Sequence, residues 1–195
     1  MSMRLVTLAD IAGLARYEEI RDSFRRRIID LKRARRVPVG GHVTFVFENF
    51  DTVLFQVQEM LRAERITDLD RVREEIDVYN ELIPGDGELS ATMLIEITEQ
   101  DRVRPELQRL IGIDECVWLE VGDGRVRAVF EPGRSSEEKL SAVQYVRFPL
   151  DAAARRGFAA SEVPVRLVIE HENYREQTPI AGDVRRSLAA DLGAA

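Results

Sequence analysis

Between Glu48 and Arg62 the chain places Glu48, Asn49, Gln56, Gln58, Glu59 and Arg62 in a segment that is otherwise apolar. Carboxylates, amides and a guanidinium at this spacing could bind a polar ligand or move a proton. Val53, Leu54, Phe55, Val57, Met60 and Leu61 cover most of the circumference of a helix, so that helix should be largely buried. Buried amides and carboxylates are costly unless hydrogen-bonded or paired. Two readings follow. In the first the polar groups knit the fold together: Glu59 meets an arginine, such as Arg62 one turn on, and the glutamines bond loop backbone. In the second they line a pocket, with Glu48 and Asn49 facing it from the preceding strand end. Glu59, its pKa raised by an apolar setting, would then be a general base. Arg62 would clamp an anion, and Glu48, Asn49 and Gln56 would orient a small polar substrate.

His171 is the other catalytic candidate. It ends a strand whose alternation puts Val165, Leu167, Ile169 and His171 on one face. An imidazole suits acid–base work near neutrality, but this face is apolar and favours a satisfied core histidine. His42 opens its strand and reads as exposed. Arg25-Arg26-Arg27 and Lys32-Arg33, with Arg35 and Arg36, place basic charge at the end of the first long helix, where the macrodipole favours cations. A solvated face is the plain reading; an anion pocket or an acidic partner are the alternatives. Ser135-Ser136-Glu137-Glu138 loosely matches a structural capping box.

Familiar catalytic signatures are missing. No G-x-S-x-G elbow and no Walker loop occurs. Gly122-x-Gly124 enters a strand instead of a helix, so it is a hairpin turn and not a dinucleotide fingerprint. A single cysteine, Cys116, cannot hold an iron–sulfur cluster or a cysteine-type zinc site. With two histidines and no Glu-x-x-His, a ferritin-like di-iron centre is not signalled. A mononuclear site using one or both histidines plus carboxylates is the alternative left open; the expectation is no metal and no cofactor.

The elements that must position these groups can be read from periodicity and turn chemistry. Thr7 or Asp10 caps a short first helix. A long helix runs from about Ala15 to Arg35, with Tyr17, Ile20, Phe24, Ile28 and Leu31 as its buried stripe, until Val37-Pro38-Val39-Gly40-Gly41 stops it. Asp51 caps the helix through Arg65, and Thr67 or Asp68 caps another through Leu82. Further helices are expected over Asp101–Ile111, Asp151–Ala159 and Ile180–Leu192. Strands are expected over His42–Phe47, Ala91–Ile97, Cys116–Val121, Arg125–Phe130, Ala142–Phe148 and Val163–His171. Helices dominate the first half and hairpin-linked strands the second. That segregation predicts an α+β single domain, residues 1–195, with a helical N-terminal half packed on one largely antiparallel sheet and a frayed tail over 193–195.

Composition bounds the partners. Acidic residues outnumber basic ones, 35 to 28, which argues against bulk nucleic-acid binding. One cysteine, no apolar leader and no long apolar run point to a cytoplasmic protein without membrane attachment.

Several stretches together resemble a known family. They are Tyr17-Glu18-x-Ile20-Arg21, Arg27-Ile28-Ile29-x-Leu31-Lys32-Arg33, Phe47-Glu48-Asn49-x-Asp51-Thr52-Val53-Leu54-Phe55-Gln56 and Gln58-Glu59-Met60-Leu61-Arg62-Ala63-Glu64. Tyr79-Asn80-x-Leu82-Ile83-Pro84, Gly112-Ile113, Val117-Trp118 and Glu137-Glu138-Lys139-x-Ser141-Ala142-Val143 continue the pattern. The chain resembles domain-of-unknown-function family 3501, a group of uncharacterised bacterial proteins, over nearly its whole length. The resemblance implies a role beside redox proteins of the rubrerythrin-like and iron–sulfur oxidoreductase kinds, with no cluster ligands in this chain. The expectation is therefore a non-catalytic accessory or small-molecule-sensing protein with a redox protein as partner. The alternative is an enzyme acting on a small polar substrate.

Overall fold

The computed structural model describes residues 4–136 and 139–193. Glu137 and Glu138 of the expected capping box, and the tail residues 194 and 195, lie outside them. The first long helix is α1 (Leu14–Arg33), followed by α2 (Phe50–Ala63) and α3 (Leu69–Asn80). Three shorter helices are α4 (Val103–Arg109), α5 (Ala152–Ala159) and α6 (Gly182–Asp191). The strands are β1 (Arg36–Val39), β2 (Val43–Phe47), β3 (Glu88–Ile95), β4 (Val117–Val121), β5 (Gly124–Arg127), β6 (Val129–Phe130), β7 (Val143–Pro149), β8 (Val165–His171) and β9 (Tyr174–Pro179). The fold is α+β and every strand pairing is antiparallel.

The strands form two sheets where one was expected. One has the order β1-β2-β3-β7-β6, the other β5-β4-β8-β9. The expected single strand Arg125–Phe130 is responsible. Trp118 pairs with Arg127 in one sheet, whereas Val129 pairs with Arg147 in the other. Between them Ala128 is buried and donates its N–H to Val117 O, so the chain crosses over at a small residue. The hairpin ahead of it is as expected: Val121 pairs with Gly124 around Gly122-Asp123, and Gly122 takes φ +57°, which glycine adopts without a Cβ penalty.

Inward residues of both sheets make the larger core. Phe45, Phe47 and Phe148 are fully buried, with ring centroids 6.2–6.4 Å apart across β2 and β7. They meet Val117, Leu119, Leu167 and Ile169 of the other sheet. Each buried phenylalanine contributes about 1.5–3 kcal/mol of transfer free energy. A second cluster joins α2 and α3 through Val53, Val57, Leu61, Val72 and Ile76.

Two strands and one helix end differ from the sequence expectation. Val37-Pro38-Val39 does not simply stop α1; it forms edge strand β1, where Pro38 sacrifices no central ladder bond. Gly40, at φ +70°, then turns the chain into β2. Strand β9 is polar and mostly exposed, so it shows no hydrophobic alternation, yet it pairs with β8 along its whole length. The basic run at the end of α1 splits. Arg36 enters β1, and Arg35 is 1% exposed instead of solvated. Its Nε donates to Phe47 O at 2.8 Å, Nη2 to Glu48 O at 2.9 Å and Nη1 to Ser187 Oγ at 3.0 Å. It also pairs with Asp191, so one guanidinium ties the end of β2 to α6.

Candidate functional site

Helices α1 and α2 lie antiparallel, and their facing sides decide what the polar residues of α2 can reach. Phe24 meets Phe55 edge-on at 5.6 Å. One turn further along, Arg21 Nε donates to Glu59 Oε1 at 2.8 Å and Arg21 Nη2 to Oε2 at 2.7 Å. Tyr17 Oη, from a fully buried residue, donates to Oε1 at 2.8 Å. The hydrogen bond and charge of Arg21, opposed by burial and aided by Tyr17, hold the Glu59 carboxyl below its usual range. Burial and the Glu59 carboxylate push the Tyr17 phenol upward. A carboxylate this well matched is a poor general base, and its geometry is that of a helix–helix clasp. Arg62 does not meet Glu59 as its partner. Its Nε donates to Glu18 Oε1 at 2.7 Å, forming a second α1–α2 pair.

Gln58 and Asn49 serve the backbone. Gln58, 1% exposed, accepts from Ala12 N at 2.6 Å and donates to Ala12 O at 3.2 Å, fastening the segment before α1. Asn49, rather than Asp51, is the N-cap of α2. Its Oδ1 accepts from Thr52 N at 3.0 Å while its own N–H reaches Thr52 Oγ1 at 2.9 Å. This reciprocal bonding satisfies two backbone donors, and Asp51 is left in the first turn to pair with Arg27.

Glu48 is different. It is 3% exposed, its N–H donates to Ser90 O at 2.9 Å, and its side chain lies on the face of the larger sheet that α2 and α3 cover. Oε1 accepts from Thr92 Oγ1 at 2.6 Å; Oε2 accepts from Thr52 Oγ1 at 2.5 Å and from Gln56 Nε2 at 3.0 Å. All three donors are neutral. Arg35 reaches only the Glu48 backbone carbonyl. Among the described residues Glu48 is therefore a buried acid held by hydrogen bonds without an ion pair.

Glu48 also borders a cleft. A cavity of about 640 Å³ opens between α3 and the larger sheet, reaching from Glu48, Ser90 and Met60 out to the β6–β7 connection. Register explains its lining. Thr92 stands opposite Tyr145 and Ser90 opposite Arg147, so these side chains share the face away from the inter-sheet core. Tyr79 of α3 stands across from Tyr145. Burial, then Tyr145 and the carboxylates of Glu75 and Glu64, push the Tyr79 phenol upward, so it remains a hydroxyl donor at neutral pH. Val78 and Val129 form a rim that leaves more than half of each exposed, at 62% and 54%.

Two arginines border the cleft and both are engaged. Arg147 pairs with Glu88 and points its guanidinium at the carbonyls of Glu81 and Ile83. Arg134 pairs with Glu131 and lies 4.0 Å over the Tyr145 ring.

His171 lies away from this cleft. It is 5% exposed, its Nε2 is 2.9 Å from Ile111 O and its Nδ1 accepts from Asn173 N at 3.2 Å. Nε2 must then carry the proton, so one ring nitrogen ties the β8–β9 turn and the other holds the segment that follows α4. Burial, with Glu115 and Asp114 beside it, pushes the Cys116 thiol upward. Among the described residues no three His, Cys, Asp or Glu side chains come together in a metal-ligating group. None of the described helices is long and apolar enough to cross a membrane.

Tyr79, Glu75, Ser90, Arg134 and Tyr145 border the cleft without having been singled out from sequence. The one local signal was the alternation Gln144-Tyr145-Val146-Arg147-Phe148, which marks Tyr145 and Arg147 as sharing a face.

The comparisons with known proteins agree with this architecture. A crystal structure of a protein of unknown function from Burkholderia pseudomallei K96243 aligns with a TM-score of 0.91 and 34% identity, covering 97% of this chain and 100% of that one. No curated protein matches. The model of the family described as protein of unknown function (DUF3501) matches residues 5–192. With that match and a relative of the same fold along its full length, the chain belongs to the DUF3501 family.

Proposed function

We propose that this protein is a non-catalytic accessory protein that senses a small molecule, and that the ligand enters the cleft between α3 and the larger sheet. The observation that carries this reading is Glu48. A buried acid without a counter-ion is costly to keep, and here it borders a cavity of about 640 Å³. That size falls within the range of roughly 300–1,000 Å³ usual for small-molecule sites. The lining has the usual make-up too, being largely apolar and aromatic with a few convergent polar groups. The enzyme alternative loses its designated base, because Glu59 is clasped by Arg21 and Tyr17 away from the cleft lining. The idea of a redox protein as partner rests on the family resemblance, and no cleft residue bears on it.

The test is a thermal-shift screen against amines, amino acids, nucleosides and organic acids. A ligand that binds only the folded chain must raise its melting temperature. We expect at least one compound to do so, and Tyr145→Ala to remove the shift. A panel that stabilises nothing, or a shift that Tyr145→Ala leaves intact, would show the cleft is not the site.

A further inference from the structure

The charges around the cleft do not balance once internal pairs are removed. Glu48, Glu75, Glu81 and Glu131 border it, against Arg134 and Arg147. Glu131 is matched by Arg134, and Arg147 is occupied by Glu88. Among the described residues Glu48, Glu75 and Glu81 make no ion pair, so the cleft carries carboxylates and no spare cation. The aromatic wall has the same preference. Tyr145 already holds a guanidinium 4.0 Å from its ring centre, which shows that this face accepts a cation. Glu48 adds direction. A carboxylate offers about four acceptor positions, and three are used by Thr92, Thr52 and Gln56. What remains suits one further N–H donor.

We infer that the ligand of this cleft is an organic cation, a protonated amine on an apolar body, with its ammonium directed toward Glu48 and its body between Tyr79 and Tyr145. The inference rests on the cleft being the ligand site and adds the chemical class. Carboxylates in a partly dewatered cleft favour a cation and repel an anion. The apolar lining supplied by Met60, Val78 and Phe130 gives the body its contact area.

Three probes of one skeleton separate charge from shape: tryptamine, the neutral alcohol tryptophol and the anion indole-3-acetate. Calorimetric titration at pH 7 should show tryptamine binding roughly ten-fold or more tighter than tryptophol, the worth of one modest ionic contact. Indole-3-acetate should bind most weakly. Glu48→Gln should erase the preference for tryptamine. Should that variant fold poorly, Glu75→Gln at the half-buried edge should weaken tryptamine several-fold and leave tryptophol unchanged. Equal binding of all three, or tighter binding of the anion, with all binding lost in Tyr145→Ala, would overturn the cation assignment and leave the cleft reading standing. No binding by any probe would overturn the assignment as well. If the wider screen also gives no Tyr145-dependent shift, the cleft reading falls with it.

Discussion

Arg21 grips both carboxylate oxygens of Glu59, at 2.8 and 2.7 Å, across the α1–α2 contact. Both side chains keep about a quarter of their surface exposed, at 25% and 28%, so water weakens the pair. The part of the site inside the protein is the Tyr17 hydroxyl. Glu59→Ala should therefore cost about 1–2 kcal/mol, mostly from the stranded Tyr17 donor. Glu59→Gln should cost less because it keeps an acceptor for Tyr17. Urea titration of both variants checks the order, and an unchanged Glu59→Ala midpoint would refute the clasp.

The same clasp has a pH signature. The Glu59 carboxyl is held below its unfolded value, chiefly by Arg21. Its stabilising effect is therefore complete above the ordinary carboxylate range and is lost as pH falls through the lowered value. Wild type and Glu59→Gln should differ in stability at neutral pH and converge in acid. Parallel curves down to the acid limit would argue against this origin.

Gln58 should control the segment ahead of α1. Its side-chain amide satisfies both the N–H and the carbonyl of Ala12. Gln58→Ala leaves both partly buried groups unpaired, at about 2 kcal/mol. Gln58→Glu should be no milder, since a carboxylate cannot donate to the Ala12 carbonyl. Hydrogen exchange offers a local readout: the Ala12 amide should lose protection in Gln58→Ala but keep it in Gln58→Glu, which retains the acceptor, while β2 and β3 keep theirs in both.

Arg35 holds α6 against the end of β2. Arg35→Ala would leave the carboxyl of Asp191 buried without its cation, and losses on the order of 3–5 kcal/mol are usual when one partner of a buried pair is removed. Burial already pushes the Asp191 pKa upward, with Arg35 opposing it. Adding Asp191→Asn to Arg35→Ala should recover part of the loss. An additive double variant would mean that the pair is not coupled.

Cys116 should be a slow thiol. Burial and the acidic neighbours Glu115 and Asp114 raise its pKa, so little thiolate exists at pH 7. Alkylation by iodoacetamide should lag behind a free cysteine and accelerate only above the usual thiol range. Rapid modification at neutral pH would contradict this placement.

Much of the secondary structure was legible from local pattern. The stripe from Tyr17 to Ile28, the apolar girth of α2 and the Gly122-Asp123 turn depend on neighbours within a few residues, and physics at that range is written into the chain. The same apolar girth marked Gln56, Gln58 and Glu59 as polar groups that must find partners. Which partners they found was not local. Glu59 had Arg62 one turn away and bonded Arg21, because the approach of α1 brought a bidentate guanidinium and a phenol to the same place. Strand β9 is too exposed to show alternation, and only pairing with β8 makes it a strand. Ala128 moves the chain from one sheet to the other only because Val117 is there to receive its N–H. The cleft is the clearest case. Tyr79 and Tyr145 belong to elements that meet only when α3 packs over the outer face of β3 and β7, so no window of sequence contains the site.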